Sequence, residues 1–480
     1  MQSYIVLLII GVYFAVLLLI SNFISRKNSD NDAFFRANRK SPWWVVAIGM
    51  IGTSISGVSF VSVPGMVREV NFNYMQTVFG FFVGYVVIAT VLLPLYYKLN
   101  LTTIYTYLDQ RFGRNSYKTG ASFFILSKII GASAKLYVVA IILQQLVFDN
   151  WNIPFYVTVI ITVLMIWLYT KKSGIKAIIW TDVIQTTVLV TALILILHQV
   201  ISKIETPQLI SDLFHNPKTK IFVFDNFRDK QFFWKQFLSG VFIPIVMTGL
   251  DQGLMQKNLT CRTLKDAQKN MIWSGAAFIP LNLLFLTLGA LLLMLANQNG
   301  IVLPSKSDQI ITFFASHYLG NTVLIMFVLG LISAAFSSAD DALTSITTSF
   351  SIDILEIEKK QENQAIKIRK RIHLTAAITI ILFVILFKEI NNKSIIDAIY
   401  TIVGYTYGPL LGMYSFGLFT KKSVNDKIVP YICIITPILC YLLNWFFTTH
   451  FNYSFGYELL MINGALTFLG MGIVKLKIDD

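Results

Sequence analysis

The stretch Gly49-Met-Ile-Gly52-Thr53-Ser54-Ile55-Ser56-Gly57-Val-Ser59-Phe-Val-Ser62-Val-Pro64-Gly65 lies in the middle of an otherwise apolar span, residues 44–67. Each Gly weakens a helix by about 1 kcal/mol relative to Ala, and Ser and Thr compete for the backbone's own hydrogen bonds. In hydrocarbon an unsatisfied polar group is expensive, so backbone is opened there only where something replaces the lost bonds. This cluster therefore predicts a helix broken at mid-depth in a bilayer, with freed carbonyls able to hold a cation. The competing reading is close helix packing through small residues.

The rest of the chain supplies the bilayer. Of the 480 residues, 55% are hydrophobic and only 13% charged, against about a quarter charged in a soluble domain. Apolar blocks fall at 3–23, 44–67, 74–98, 119–147, 153–170, 176–200, 234–256, 269–297, 322–352, 372–388, 395–420, 428–447 and 456–475. That is about thirteen blocks of roughly 20 residues, the length that crosses a hydrocarbon core. The fold class expected is an all-α polytopic membrane protein forming a single transporter domain over 1–480. The first block has neither a basic leader nor a small-residue cleavage pattern after it, so it is read as a membrane helix.

A net charge of +14 would suggest nucleic acid in a soluble protein. Here roughly 27 of the 39 Lys and Arg fall in alternate loops (24–43, 99–118, 171–176, 257–269, 353–371, 421–427 and the tail), and about 10 in the others. This is the positive-inside asymmetry. It puts the N-terminus outside and the C-terminus in the cytoplasm of a cell inner (plasma) membrane, and it removes the need for a nucleic-acid partner. An odd number of crossings gives the same orientation. Segment 201–233 is expected to carry a short amphipathic helix, and Glu356–Arg371 to be a solvated connector. Cys261, Cys433 and Cys440 and the five His have no metal-ligand spacing. No cofactor and no obligate protein partner are expected.

Two further spans hold polar atoms where apolar ones belong. In 322–352, Ala334, Ser337, Ser338, Asp341, Ser345 and Thr348 follow the rhythm of one helical face. Asp340 and Asp341 are adjacent there, and a carboxylate at bilayer centre costs about 2.5–3.5 kcal/mol. One must be neutralised by a proton, a Lys or a metal cation, and hard oxygen ligands suit a small hard cation. In 176–200, Asp182 of Trp180-Thr181-Asp182 lies too deep to be a loop residue and is a functional candidate by default. Its structural alternative is a buried partner for Lys128 or Lys135, which share a face at i, i+7.

These residues resemble the sodium:solute symporters, a family that includes sodium/proline, sodium/galactose, sodium/sialic-acid and sodium/glucose carriers. The resemblance covers about residues 30–420. It rests on Phe34-Phe35-Arg36 before Ser41-Pro42-Trp43-Trp44, the Ser/Gly-rich stretch ending Pro64-Gly65, Ser173-Gly174 with Trp180-Thr181-Asp182 and Gln185, Asp251-Gln252 before Met255-Gln256-Lys257, Ala334 to Ser338 with Asp353, and Tyr407-Gly408-Pro409 with Gly412. It implies a LeuT-type fold: an extra N-terminal helix (3–23), inverted five-helix repeats at 44–200 and 234–420, and C-terminal helices at 428–475.

The resemblance also implies sites. A main sodium site would take carbonyls of Gly52, Ile55 and Ala334 and hydroxyls of Ser337 and Ser338. A second cation or proton site would use Asp182, Ser337, Asp340 and Asp341, where relatives carry hydroxyls at the last two positions. Solute would meet Ser54, Ser56 and Ser59. In the next helix, Val78 stands where sugar carriers have an acid or amide, with Gln76 nearby. Lys135 lies near the place of a sialic-acid-binding Arg.

The function expected is sodium-coupled import of a small polar solute (sugar, sialic acid, amino acid or small carboxylate) by alternating access, with Na+ as coupling ion, and no enzymatic activity. A proton-coupled carrier using Asp182, Asp340 and Asp341 is the nearest rival. A transporter-like membrane sensor is the rival of another class.

Overall fold

The computed structural model describes residues 3–25, 31–171, 174–205, 208–390 and 395–474. Ser173, the basic pair Arg26–Lys27 and the tail from 475 lie outside the described residues. Among those described there are helices and no strand, with one isolated bridge between Ser41 and Cys261.

Eight helices are long and apolar enough to cross a bilayer, and ten if each of two sharply bent pairs counts as one span. In chain order the main helices are α1 (Ser3–Ser25), α2 (Trp43–Ser54), α3 (Gly57–Val70), α4 (Tyr74–Val87), α5 (Arg114–Leu143), α6 (Phe155–Thr170), α7 (Ile175–Ile201), α8 (Phe233–Pro244) and α9 (Gln252–Asn258). They continue as α10 (Leu264–Gln298), α11 (Asn321–Ser349), α12 (Glu362–Ile390), α13 (Ile395–Thr406), α14 (Gly408–Phe419), α15 (Val429–Phe451) and α16 (Leu459–Ile473). Every apolar block of the sequence holds helix. Segment 201–233 carries the short helix Leu209–His215.

The expected break is present. α2 and α3 meet at 59°, across Ile55 and Ser56, both extended (ψ 90° and 169°). A second break was not expected: α8 and α9 meet at 73°, where 234–256 reads as one straight span. Pro244 removes a ladder donor, a π turn follows over Ile245–Gly249, and Asp251 then caps α9 by accepting from the Gly253 and Leu254 N–H groups at 2.9 and 3.1 Å.

Small residues set the closest helix approach. Gly80 and Gly84, four apart on α4, lie against α8 at Gly240: a Cβ on Gly80 would stand 2.2 Å from the Phe237 carbonyl oxygen, and one on Gly240 2.2 Å from that of Thr77. The backbones themselves touch, the packing that a small-xxx-small pattern permits in lipid. Gly240→Val is therefore expected to cost about 3 kcal/mol by overpacking, read as a lowered thermal midpoint or loss of monodisperse protein. An equivalent change at Gly131, whose Cβ would meet nothing within 4 Å, should be tolerated.

Candidate functional site

The break leaves backbone acceptors free. The α2 ladder ends with the Ile55 N–H on the Ile51 carbonyl at 2.9 Å, and the α3 ladder resumes with the Phe60 N–H on that of Ser56 at 3.2 Å. Among the described residues the carbonyls of Gly52 and Ile55 accept no hydrogen bond beyond the helix's own ladder. Between them, Thr53 touches α11: the Ser338 hydroxyl donates to the Thr53 carbonyl at 3.2 Å, and the Thr53 and Ser337 hydroxyls are 2.9 Å apart. Ala334 and Ser337 are fully buried. Gly52 has to be Gly, because a Cβ there would lie 2.0 Å from the Thr186 hydroxyl of α7, which itself donates to the Ile48 carbonyl at 2.9 Å.

Beside the break runs a chain of five charges, four of them buried and Lys128 partly so. The Lys128 Nζ on α5 lies 2.9 Å from Asp251 and 2.7 Å from Asp341. The Lys257 Nζ on α9 lies 3.4 Å from the other oxygen of Asp341 and 2.8 Å from Asp182. Lys257 also donates to the Thr53 hydroxyl at 2.6 Å, and Ser337 donates to the second Asp182 oxygen at 2.6 Å. The Tyr407 hydroxyl donates to Asp251 at 3.1 Å. Isolated charges would be very costly at this depth, and sharing each ammonium between two carboxylates offsets that cost.

Several expectations change here. The partner of Asp182 is Lys257, neither Lys128 nor Lys135. Lys257, assigned by charge to the cytoplasmic loop 257–269, is only 1% exposed, because the bend before α9 turns its side chain into the bundle. Among the described residues Asp340 makes no hydrogen bond or ion pair with Asp182, Ser337 or Asp341. Neighbours on a helix point about 100° apart, and Asp340 accepts from the Tyr169 hydroxyl of α6 at 2.8 Å without an ion pair among the described residues.

A cavity of mixed polar and apolar lining adjoins the break. Ser54 and Ser59 line it from one side, and Lys128, Lys135 and Asp251 from the other, with Ser338 and Asp341 at its α11 wall and Tyr74, Tyr85 and Tyr407 closing it. The Ser54 hydroxyl is buried there without a hydrogen-bond partner. Lys135 makes no hydrogen bond or ion pair among the described residues. Ser56, buried at the break, is not part of the wall. Gln76 is withdrawn from it: its amide donates to the Asn73 and Gln231 carbonyls at 3.2 and 2.9 Å and accepts from the Val223 N–H at 3.1 Å. It pins the 221–232 loop, which distance along the chain could not reveal.

Asp251 and Lys257 are the functional candidates that sequence reasoning passed over. The signal was present in an Asp followed by Gln-Gly within an apolar block, a capping pattern that marks a helix start. Elsewhere two of the quoted motifs meet: Gly174, at φ +50°, presses on the ring of Phe34, where a Cβ would stand 2.6 Å away.

The sodium:solute symporter family matches residues 34–427. Over 448 residues the chain is 24% identical to the sodium/sialic acid symporter NanT of Aliivibrio fischeri, covering 89% of this chain and 85% of that one. It is 26% identical over 405 residues to the sodium-dependent multivitamin transporter of Oryctolagus cuniculus, covering 80% and 61%. Among solved structures, a substrate-bound, outward-open Na+-coupled sialic acid symporter superposes with a TM-score of 0.83 at 22% identity, covering 98% of this chain and 97% of that one. A nucleobase-cation-symport-1 transporter with bromovinylhydantoin bound gives 0.52 at 12% identity, covering 91% and 92%. With its family match spanning most of the chain, and its broken helix facing buried hydroxyls, this protein is an integral membrane transporter that belongs to the sodium:solute symporter family.

Proposed function

We propose that this sodium-coupled symporter imports a small polar solute carrying a carboxylate, held in the cavity beside the α2–α3 break. The observation that carries the solute class is Lys135, an ammonium at the cavity wall with no partner among the described residues, while Lys128 beside it is fully engaged. Sialic acid, an amino acid or a small carboxylate each presents the complementary group, and neighbouring Ser54 and Ser59 offer hydroxyls to the remainder of such a solute.

Sodium binds at Gly52, Ile55, Ala334, Ser337 and Ser338 in this reading. Free carbonyls on one side of the break and hydroxyls on the other suit a small hard cation. One sodium ion moving inward gains about 2.3 kcal/mol per 100 mV, besides its concentration term. Binding between α2 and α11 draws them together, and sodium and solute then raise each other's affinity by the same factor.

The chain is organised as a LeuT-type pair of inverted repeats, 44–200 and 234–420, after the helix 3–23 and before the helices of 428–475. It makes thirteen crossings with the N-terminus outside. Two broken helices, α2–α3 and α8–α9, each opening one repeat, support this arrangement, since interrupted helices in corresponding positions mark the binding site of such carriers.

The test is thermal stability of purified protein in sodium or choline chloride with N-acetylneuraminate, lactate or glucose added. The carboxylates are expected to raise the midpoint in sodium alone, and Lys135→Ala should lose that response while keeping the response to sodium. Stabilisation by glucose and by neither carboxylate would overturn the solute class.

A further inference from the structure

We infer that the ammonium of Lys257 is a resident cation, standing where a second coupling ion would have to bind, so that each polypeptide holds a single sodium ion. The inference rests on the sodium reading of the α2–α11 site. Asp182, Ser337 and Asp341 converge as oxygen ligands for a hard cation would, but the space among them is taken. The Lys257 Nζ lies 2.8 Å from Asp182, 3.4 Å from Asp341 and 2.6 Å from the Thr53 hydroxyl.

A sodium ion on the same oxygens would sit within a few ångströms of that ammonium. Two like charges at that distance, away from water, repel strongly. One of the two must be absent, and only the sodium can leave.

The lysine is held where it is. α9 is capped by Asp251, and Gly253 touches α11 so closely that a Cβ would stand 2.5 Å from the Asp341 carboxylate. On its other flank Gln256 donates to the Phe35 carbonyl at 2.7 Å, and Thr260 donates to the Lys257 carbonyl at 2.6 Å. The side chain itself is 1% exposed and the carboxylates it meets are 0% and 2% exposed, so water cannot stand in for it. Removing Lys257 would leave Asp182 without an ion pair, Asp341 with Lys128 alone at 2.7 Å, and a cation-sized space between the two carboxylates. A tethered ammonium orders the same oxygens as a bound ion does, but it is not carried across the membrane and draws nothing from the sodium gradient.

Equilibrium binding of radioactive 22Na+ to the purified full-length protein counts the ions directly. Wild type is expected to bind one per polypeptide, Lys257→Arg one, and Lys257→Ala two. Two ions on wild type, or a monodisperse Lys257→Ala protein that still binds one, would overturn the inference. Should Lys257→Ala aggregate, the wild-type count decides alone, one supporting and two overturning it. No sodium on wild type would remove the α2–α11 site reading and this inference with it, a failure distinct from a count of two.

Discussion

Lys128→Ala is expected to destabilise the protein by about 3–5 kcal/mol, the cost of breaking a buried ion pair from one side. Its ammonium serves Asp251 and Asp341 together at 2.9 and 2.7 Å, and removing it leaves Asp251 without an ion pair and Asp341 with only the longer contact to Lys257 at 3.4 Å. Lys128→Met, which keeps most of the apolar stem, should cost nearly as much, separating charge from packing. Asp251→Asn added to Lys128→Ala should recover part of the loss, since Asn still caps α9 and no longer needs a cation. Thermal midpoints of the two single variants and the double variant form a cycle whose coupling term isolates the pair. A double variant as unstable as the sum of the singles would show that the two residues do not act together.

Ser338→Ala is expected to leave the protein nearly as stable in choline but almost indifferent to sodium. In the absence of the ion it loses one hydrogen bond, 3.2 Å to the Thr53 carbonyl, worth about 1 kcal/mol. In its presence it loses a ligand. An ion that binds only the folded state stabilises it by about 2.7 kcal/mol at a concentration 100 times its dissociation constant, and that increment should largely disappear. Thermal midpoints across a sodium titration check this. Wild type and variant rising in parallel would place the ion elsewhere.

How much could be read in advance depended on whether a residue's surroundings lie nearby in the chain. The α2–α3 break was legible because Gly52, Ser54, Ser56 and Gly57 all fall within the short stretch 52–57, and their effect on a helix is local. The α8–α9 break was not. The joined segment still holds a window apolar enough to read as one span, and Pro244 and Asp251 are each compatible with an unbroken helix. Missing that bend carried Lys257 with it, since a basic residue at the end of an apolar block reads as a loop unless the helix is known to turn inward.

Asp340 and Asp341 enter one expected site through the resemblance, as the positions where relatives carry hydroxyls, although a helix sends such neighbours to different hydrogen-bond and ion-pair partners. Asp340 meets Tyr169 of α6 and Asp341 meets Lys128 of α5, contacts between segments far apart in the chain. Gln76 was placed on the correct helix, but its side chain is used by a loop some 150 residues later.

The glycine contact between α4 and α8 has a mechanical consequence. Two ribbons that touch at the peptide oxygens have no side-chain cushion between them, so neither can slide or roll without first coming apart. α4 and α8 therefore behave as one plank. α8 also runs through its π turn into the strap that ends at Lys257, so a tilt at the α4 end is transmitted like a lever stroke to the ammonium, and any rearrangement of the bundle that moves this plank must pull on the charge chain.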